Sequence, residues 1–322
     1  MARTSKRSRN VWWTVVQILA ISVALVYAWR ALSTQWSGVQ AVARHVHVQW
    51  SWMLLSGSLV LLVHASLVQS WRMLVTGWGS TLGFGAAVRI WTISNLGKYL
   101  PFKVGSIAAM GVLTQREGAS GISAIGAALL GALLNLGAGF GVVALGGASV
   151  LRTLGSTERV TAMVGSIVFV LGVAALPWIL PPLLTRVAQW RGLPPLEQHL
   201  RAQTIWVVTA VNVFAWIGYG LAFMAFSRAV TPQIAGAPAQ FIALYTVSYI
   251  IGYLYIFAPG GIVVRETVMT GLLVSFGLAL QPDAIFLALA SRVWLTVIEV
   301  LPGLISLLIA PAIARAPVRR VD

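Results

Sequence analysis

Cysteine is absent from this chain of 322 residues, and acidic residues are scarce, at seven against 22 lysines and arginines. The absence of cysteine excludes disulfides, thiolate metal sites and cysteine nucleophiles. The few carboxylates are scattered, and the histidines are not spaced as metal ligands, so no catalytic pair or metal cluster can be recognised. A GxxxxGK[ST] nucleotide-binding loop is also absent. We therefore expect a protein that is not an enzyme and binds no cofactor or metal.

Apolar residues dominate instead, at 58% of the chain, with a mean hydropathy of +0.87. Several apolar runs reach the length of about 20 residues with which a helix crosses a hydrocarbon core. The first run, Val11–Leu32, is too long for the apolar region of a signal peptide and is predicted to remain as a span. The net charge of +15 lies mostly at helix ends and tails, which indicates lipid headgroups rather than nucleic acid. The sequence predicts an all-α polytopic membrane protein.

The order of the apolar segments occurs twice: two spans, a pair of segments interrupted by proline, and one further span. In the first half the segments are Val11–Leu32, Trp50–Trp71, Phe84–Leu100, Phe102–Gln115 and Ser120–Leu145. In the second half they are Val160–Leu183, Thr204–Phe226, Phe241–Ala258, Gly260–Leu280 and Ala284–Ala310. Matching interruptions in two halves indicate a transporter site. In the last span of the first half, Gly137 and Gly141 have the spacing of a close helix contact.

The charges of the connecting segments favour two inverted repeats. If each interrupted pair is re-entrant or spans half of the membrane, the basic N-terminus, the linker with Arg186, Arg191 and Arg201, and the C-terminal tail all lie in the cytoplasm. We therefore expect one transmembrane domain over residues 1–322, with repeats at about 11–148 and 160–311. Residues 1–10 and 312–322 are then basic cytoplasmic tails of a protein in the inner membrane.

The first interruption, in the segment SNLGKYLPFKVGS, combines proline with two lysines. A helix restarting after Pro101 would direct unpaired N–H groups toward a cavity, where Lys98 and Lys103 would add positive charge. Both features suit a phosphate group. The alternative is that the lysines extend to lipid headgroups from an interfacial loop.

The second interruption, in the segment APGGIVVRE, contains Pro259 and two glycines, followed by Arg265 and Glu266. Glycines permit a ligand to approach the backbone closely. Arg292 and Glu299, seven residues apart on one face of the last span, are predicted to pair with Glu266 and Arg265 respectively.

Together the two interruptions and the charges around them define the candidate substrate site, in which five cations outnumber two carboxylates. Its predicted residues are Arg89, Asn95, Lys98, Tyr99, Pro101, Lys103, Gly105, Pro259, Gly260, Gly261, Arg265, Glu266, Arg292 and Glu299. Asn95 also suits a hydrogen bond between helices.

The segments NLGKYLPFKVG and PGGIVVRE resemble the two signature segments of the membrane region of lysylphosphatidylglycerol synthases and their stand-alone relatives. Members of that family typically have glycine where this chain has Phe102 and Val263. The resemblance implies a flippase-like membrane domain, which in the full-length synthases is thought to move an aminoacylated phospholipid made by a separate soluble domain. That soluble domain has no counterpart in these 322 residues, so we expect no synthase activity.

The sequence thus predicts a translocator that moves an anionic or phosphate-bearing lipid between leaflets. Two alternatives remain open: a carrier of polyprenyl-phosphate-linked lipids, and a non-catalytic membrane partner of a lipid- or glycan-modifying enzyme. For the energy coupling, either passive equilibration between the leaflets or ion coupling through Glu266 or Glu299 would fit.

Overall fold

The computed structural model describes residues 40–44, 46–96, 104–146, 156–191, 200–255, 261 and 263–314. All regular structure in these ranges is helical. Apart from a helical turn at residues 40–44, the helices are α1 Trp50–Gly77, α2 Phe84–Leu96, α3 Val104–Arg116, α4 Gly121–Gly146, α5 Ser156–Arg191, α6 Ala202–Val230, α7 Pro238–Leu254, α8 Val264–Ser275 and α9 Gln281–Ala314. The predicted span Val11–Leu32 and the predicted tails lie outside the described residues.

Four helices in the described part of the chain are long and apolar enough to cross a membrane: Trp50–Gly77, Gly121–Gly146, Ala202–Val230 and Gln281–Leu308. Each contains most or all of a span that the sequence predicted. Their outward faces carry large apolar side chains, such as Leu54, Leu133 and Leu301, each at least half exposed. These faces suit hydrocarbon, so the chain is a multi-pass membrane protein.

The helices on either side of the two interruptions are short. α2 and α3 have 13 residues each, α7 has 17 and α8 has 12, all below the length of about 20 that a span requires. The predicted segment Gly260–Leu280 is longer than the helix that forms, because α8 ends at Ser275 and the chain turns at Gly277, whose φ is +66°.

Helix α5 is longer than predicted. It continues to Arg191, so Arg186 and Arg191 lie on the helix rather than in a linker, and that part of the prediction was wrong. The apolar run does end near Leu183, but hydropathy marks the part of a helix that suits lipid and does not mark the end of its backbone hydrogen bonds.

The most extensive helix contact is between α1 and α6, and α4 packs against both. Polar side chains join these three helices inside the apolar core. Asn135 Nδ2 on α4 donates to Asn212 Oδ1 on α6 at 2.8 Å, and Asn212 Nδ2 donates to Ser70 Oγ on α1 at 3.4 Å. Such bonds satisfy polar groups that lipid would leave without partners.

Close packing of α4 against α5 confirms the interpretation of the small-residue spacing. A Cβ atom at Gly137 would lie 2.4 Å from Val173 Cγ2, and one at Gly141 would lie 3.6 Å from Val170 Cγ2. A side chain at position 137 would therefore displace the two helices from each other.

The two interrupted pairs pack in corresponding ways. Helix α2 packs against α3 and α9, while α7 packs against α8 and α4. Helix α3 packs against α4, and α8 packs against α9. Each short pair is thus enclosed by long helices of both halves of the chain.

Candidate anion-binding site

Two glycines hold the start of α8 against α7. The φ of Gly261 is +66°, and a Cβ atom there would lie 2.6 Å from the carbonyl oxygen of Gly252 on α7. A Cβ atom at Gly252 would in turn lie 3.0 Å from Cβ of Arg265. The absence of side chains at both positions therefore allows Arg265 to sit directly against α7.

Arg265 is almost completely buried, with 7% of its surface exposed. Its guanidinium carbon lies 4.9 Å from the ring centroid of Tyr245 and 5.1 Å from that of Tyr249, both on α7. The rings stabilise the cation through their negative faces. The terminal nitrogen Nη2 is buried and has no hydrogen-bond partner among the described residues.

An unpartnered donor on a buried cation is unusual, because leaving a charged group without its hydrogen bonds costs more than about 1–3 kcal/mol. Cation–π contacts compensate for part of that cost, and the N–H groups of Nη2 lie in the guanidinium plane, where they can donate to an acceptor. The arrangement can therefore bind an anion directly at Arg265.

Glu266, the next residue of α8, pairs with Arg292 on α9. Its Oε1 lies 3.3 Å from Arg292 Nη1, and 14% and 24% of the two side chains are exposed. This confirms the predicted partner for Glu266. The other carboxylate oxygen, Oε2, is buried and has no hydrogen-bond partner in the described part of the chain. The pair neutralises one cation and leaves the charge of Arg265 available.

Glu299 does not pair with Arg265, so that prediction was wrong. Its Oε1 lies 3.6 Å from Nε2 of His64 on α1, while the guanidinium of Arg265 lies over the tyrosine rings of α7. Arg265 is nevertheless within electrostatic range of the Glu299 carboxylate. The faces of Tyr245 and Tyr249, and not the carboxylate of Glu299, are therefore the direct neighbours of the Arg265 guanidinium.

A series of aromatic rings connects Arg265 to His64. Tyr249 and Tyr245 stack with their centroids 6.3 Å apart, and Tyr245 stacks on Tyr219 of α6 at 5.7 Å. The His64 ring meets Tyr219 edge to face at 5.9 Å. The rings of α6 and α7 therefore connect Arg265 on α8 with the His64–Glu299 contact between α1 and α9.

Other predicted site residues lie elsewhere or outside the described ranges. Arg89 Nη2 donates to Glu117 Oε1 at 2.9 Å, an ion pair with 26% and 37% of the side chains exposed, and no contact among described residues joins it to Arg265. Asn95 is half-buried on α2, and Gly105 lies in α3. Lys98, Tyr99, Pro101, Lys103, Pro259 and Gly260 fall outside the described residues, so their roles stay predictions.

The sequence interpretation missed His64, Tyr219, Tyr245 and Tyr249. A histidine within an apolar span such as α1 could have been noticed, since ionisable residues at membrane depth are rare. The tyrosines gave no such signal, because aromatic residues in membrane helices are common at both interfaces.

Long apolar helices around a buried, partly unpartnered arginine define the class: a multi-pass membrane protein with a candidate anion site between its helices. Residues 17–303 match the family described as lysylphosphatidylglycerol synthase TM region, and the chain belongs to this family. The resemblance of the two interrupted segments is thereby confirmed, and the family places the protein in lipid handling. A comparison with curated proteins found no match.

Proposed function

We propose that the protein is a lipid translocator that moves an anionic or phosphate-bearing lipid between leaflets, without chemical conversion of the lipid. The observation that carries this proposal is Arg265, a buried cation with an unpartnered Nη2 at the start of a short helix. A phosphate or other anionic headgroup supplies the acceptor oxygens that the guanidinium lacks.

The surroundings of Arg265 suit a lipid better than a small hydrophilic anion. Tyr245, Tyr249 and Trp216 form contiguous aromatic surface, with Trp216 and Tyr249 5.3 Å apart. The apolar part of a lipid suits these apolar surroundings, while pairing with Arg265 compensates for the desolvation of its anionic group. The membership in a lipid-related membrane family supports the same substrate class.

The packing of the short helices supports our proposal of two inverted repeats. The contacts of α2 and α3 with α9 and α4 correspond to those of α7 and α8 with α4 and α9. We propose that both pairs are re-entrant or cross half of the inner membrane, so that non-helical backbone lines a cavity where lipid does not reach it.

Flipping in vesicles tests the proposed function. The full chain is reconstituted into phosphatidylcholine vesicles with a trace of phosphatidylglycerol carrying a fluorophore on its acyl chain. Accessibility to a membrane-impermeant quencher is followed with time, beside protein-free vesicles. We expect the protein to make inner-leaflet phosphatidylglycerol accessible and to act much more slowly on labelled phosphatidylcholine, whose headgroup has no net charge.

Two controls determine the meaning of the result. Dithionite exclusion from an encapsulated dye establishes that the vesicles are sealed. Competition with unlabelled polyprenyl phosphate compares that lipid with phosphatidylglycerol as the substrate. Equal quenching in protein-free vesicles and in vesicles with the folded protein, for both anionic lipids, would contradict the proposed function.

A further inference from the structure

His64 has a defined hydrogen bond within α1. Its Nδ1 lies 2.9 Å from the carbonyl oxygen of Val60, one turn earlier. A carbonyl oxygen only accepts hydrogen bonds, so Nδ1 must carry the proton and donate it. In the neutral ring, Nε2 is then unprotonated and presents a lone pair.

That lone pair faces a carboxylate. Glu299 Oε1 on α9 lies 3.6 Å from Nε2, and each of the two side chains is only 18% exposed. A neutral imidazole with its proton on Nδ1 and an ionised carboxylate offer two acceptors and no donor to each other. One added proton, on Nε2 or on the carboxyl group, makes the contact attractive.

The charged and titratable groups near this contact lie on several neighbouring helices. Tyr219 of α6 touches the His64 ring, Tyr245 of α7 stacks on Tyr219, Arg265 and Glu266 come from α8, and Arg292 precedes Glu299 on α9. Arg89 is the titratable residue of α2 within its described range, and α4 contains none. Glu299 also makes interactions besides the one with His64.

The position of the contact links it to Arg265. His64 and Arg265 are in contact with the same series of rings, His64 through Tyr219 and Arg265 through Tyr245. A change in the charge of the His64–Glu299 pair therefore acts across a short, poorly hydrated distance on the cation proposed to hold the lipid. The pair also joins α1 to α9, which belong to different halves of the chain.

We propose that His64 and Glu299 together bind one proton, and that its binding and release are coupled to translocation of the lipid held at Arg265. The proton enters on Nε2 or on a carboxyl oxygen from one aqueous side and leaves to the other, and no other bond is made or broken. The coupling rests on the proposed function, while the proton site itself does not.

The proton site is tested on the purified protein in detergent, without transport. Infrared difference spectra between about pH 5 and about pH 8 report carboxyl protonation, and labelled histidine reports imidazole protonation by NMR. We compare the wild type with His64→Gln and Glu299→Gln, which remove one partner each. The matched controls are His47→Gln, at an exposed position before α1, and Glu117→Gln, at an exposed position after α3.

The expected result is a titration signal that His64→Gln removes, that Glu299→Gln changes, and that both controls retain unchanged. His64→Lys supplies a second route if a glutamine variant does not fold, because lysine keeps a cation beside Glu299 but should lose the titration in this range. A signal that persists in folded His64→Gln, or that is unchanged in folded Glu299→Gln, would show that the two residues do not share a proton, and would overturn the site.

Coupling is tested in the flipping assay with an imposed pH gradient. If one proton moves with each lipid, a gradient of one pH unit shifts the steady-state ratio of labelled lipid between leaflets by about tenfold. We expect this shift in the wild type and in His47→Gln, and a ratio near one in His64→Gln and His64→Lys. If the steady-state ratio of labelled lipid in the wild type does not change with the pH gradient, the coupling is contradicted.

Failure of the proposed function can be distinguished from failure of the proton coupling. If the wild type moves no anionic lipid at any pH, the proposed function fails and coupling fails with it, whereas the spectroscopic titration still decides whether the proton site exists. If lipid moves but the gradient has no effect, the proposed function stands and only the coupling is refuted.

Discussion

The guanidinium carbon of Arg265 lies 4.9 Å from the ring centroid of Tyr245, although two carboxylates, of Glu266 and Glu299, are close by. A buried arginine usually pairs with a carboxylate that satisfies its donors. Here Glu266 binds Arg292 and Glu299 faces His64. Arg265 therefore lies over tyrosine rings and not in an ion pair with either carboxylate, and the proposed anion site rests on this arrangement.

The Glu266–Arg292 pair is expected to stabilise the fold. Arg292→Gln leaves the carboxylate of Glu266 with a weaker partner in a largely buried position, so it should lower the free energy of unfolding by about 3 kcal/mol. Arg89→Gln is the matched control, because it breaks a more exposed pair that is worth at most about 1 kcal/mol. Thermal and denaturant scans in detergent measure both changes. Equal losses in the two variants would contradict a stabilising role for the buried pair.

The residue before α8 has an unfavourable backbone conformation. Val263 has a φ of +75°, which a β-branched residue rarely adopts. Val263→Gly should therefore raise the free energy of unfolding by about 1–3 kcal/mol, although glycine loses more backbone entropy on folding. Val264→Gly, within the first turn of α8, is the control and should be destabilising. A Val263→Gly variant that melts below the wild type would show that the valine side chain contributes more than its backbone strain costs.

The sequence predicted the four long spans because each contains an uninterrupted apolar run. Pro101 and Pro259, at which it placed the two interruptions, lie outside the described residues, so those positions stay predictions. The sequence predicted the Glu266–Arg292 pair from rare intramembrane charges. It did not predict that Tyr245 and Tyr249 would take the place of a carboxylate beside Arg265. This arrangement depends on the close approach of α8 to α7 that Gly252 and Gly261 permit. That approach is visible only in the three-dimensional structure.

The lysines of the first interruption are predicted to bind the same class of anion. A charge-assisted hydrogen bond is worth about 1.5–3 kcal/mol, so losing one should weaken binding by about one to two decades. Lys103→Arg, which keeps the charge, should retain more flipping than Lys103→Gln, and Lys98→Gln combined with Lys103→Gln should be worse than either alone. Wild-type flipping by the folded double variant would mean that these lysines only reach headgroups.

The inverted repeats predict that the segment after α5 and the C-terminal tail lie on the cytoplasmic side. The chain has no cysteine, so Gly192→Cys introduces a single labelling site without other changes. We expect an impermeant maleimide to label it in inside-out vesicles and not in intact cells. Labelling only from the outer side would contradict the inverted arrangement.

Flipping by Arg265 variants tests the central claim most directly. Arg265→Gln removes the charge, Arg265→Lys keeps it without the planar group that lies over the rings, and Arg228→Gln removes an arginine that lies 5.1 Å from the Trp52 ring on another part of the fold. The account predicts that Arg265→Gln flips anionic lipid about 10-fold to 100-fold more slowly than the wild type, that Arg265→Lys is intermediate, and that Arg228→Gln is close to the wild type. If folded Arg265→Gln flips anionic lipid as fast as Arg228→Gln, Arg265 does not hold the substrate and the account is contradicted.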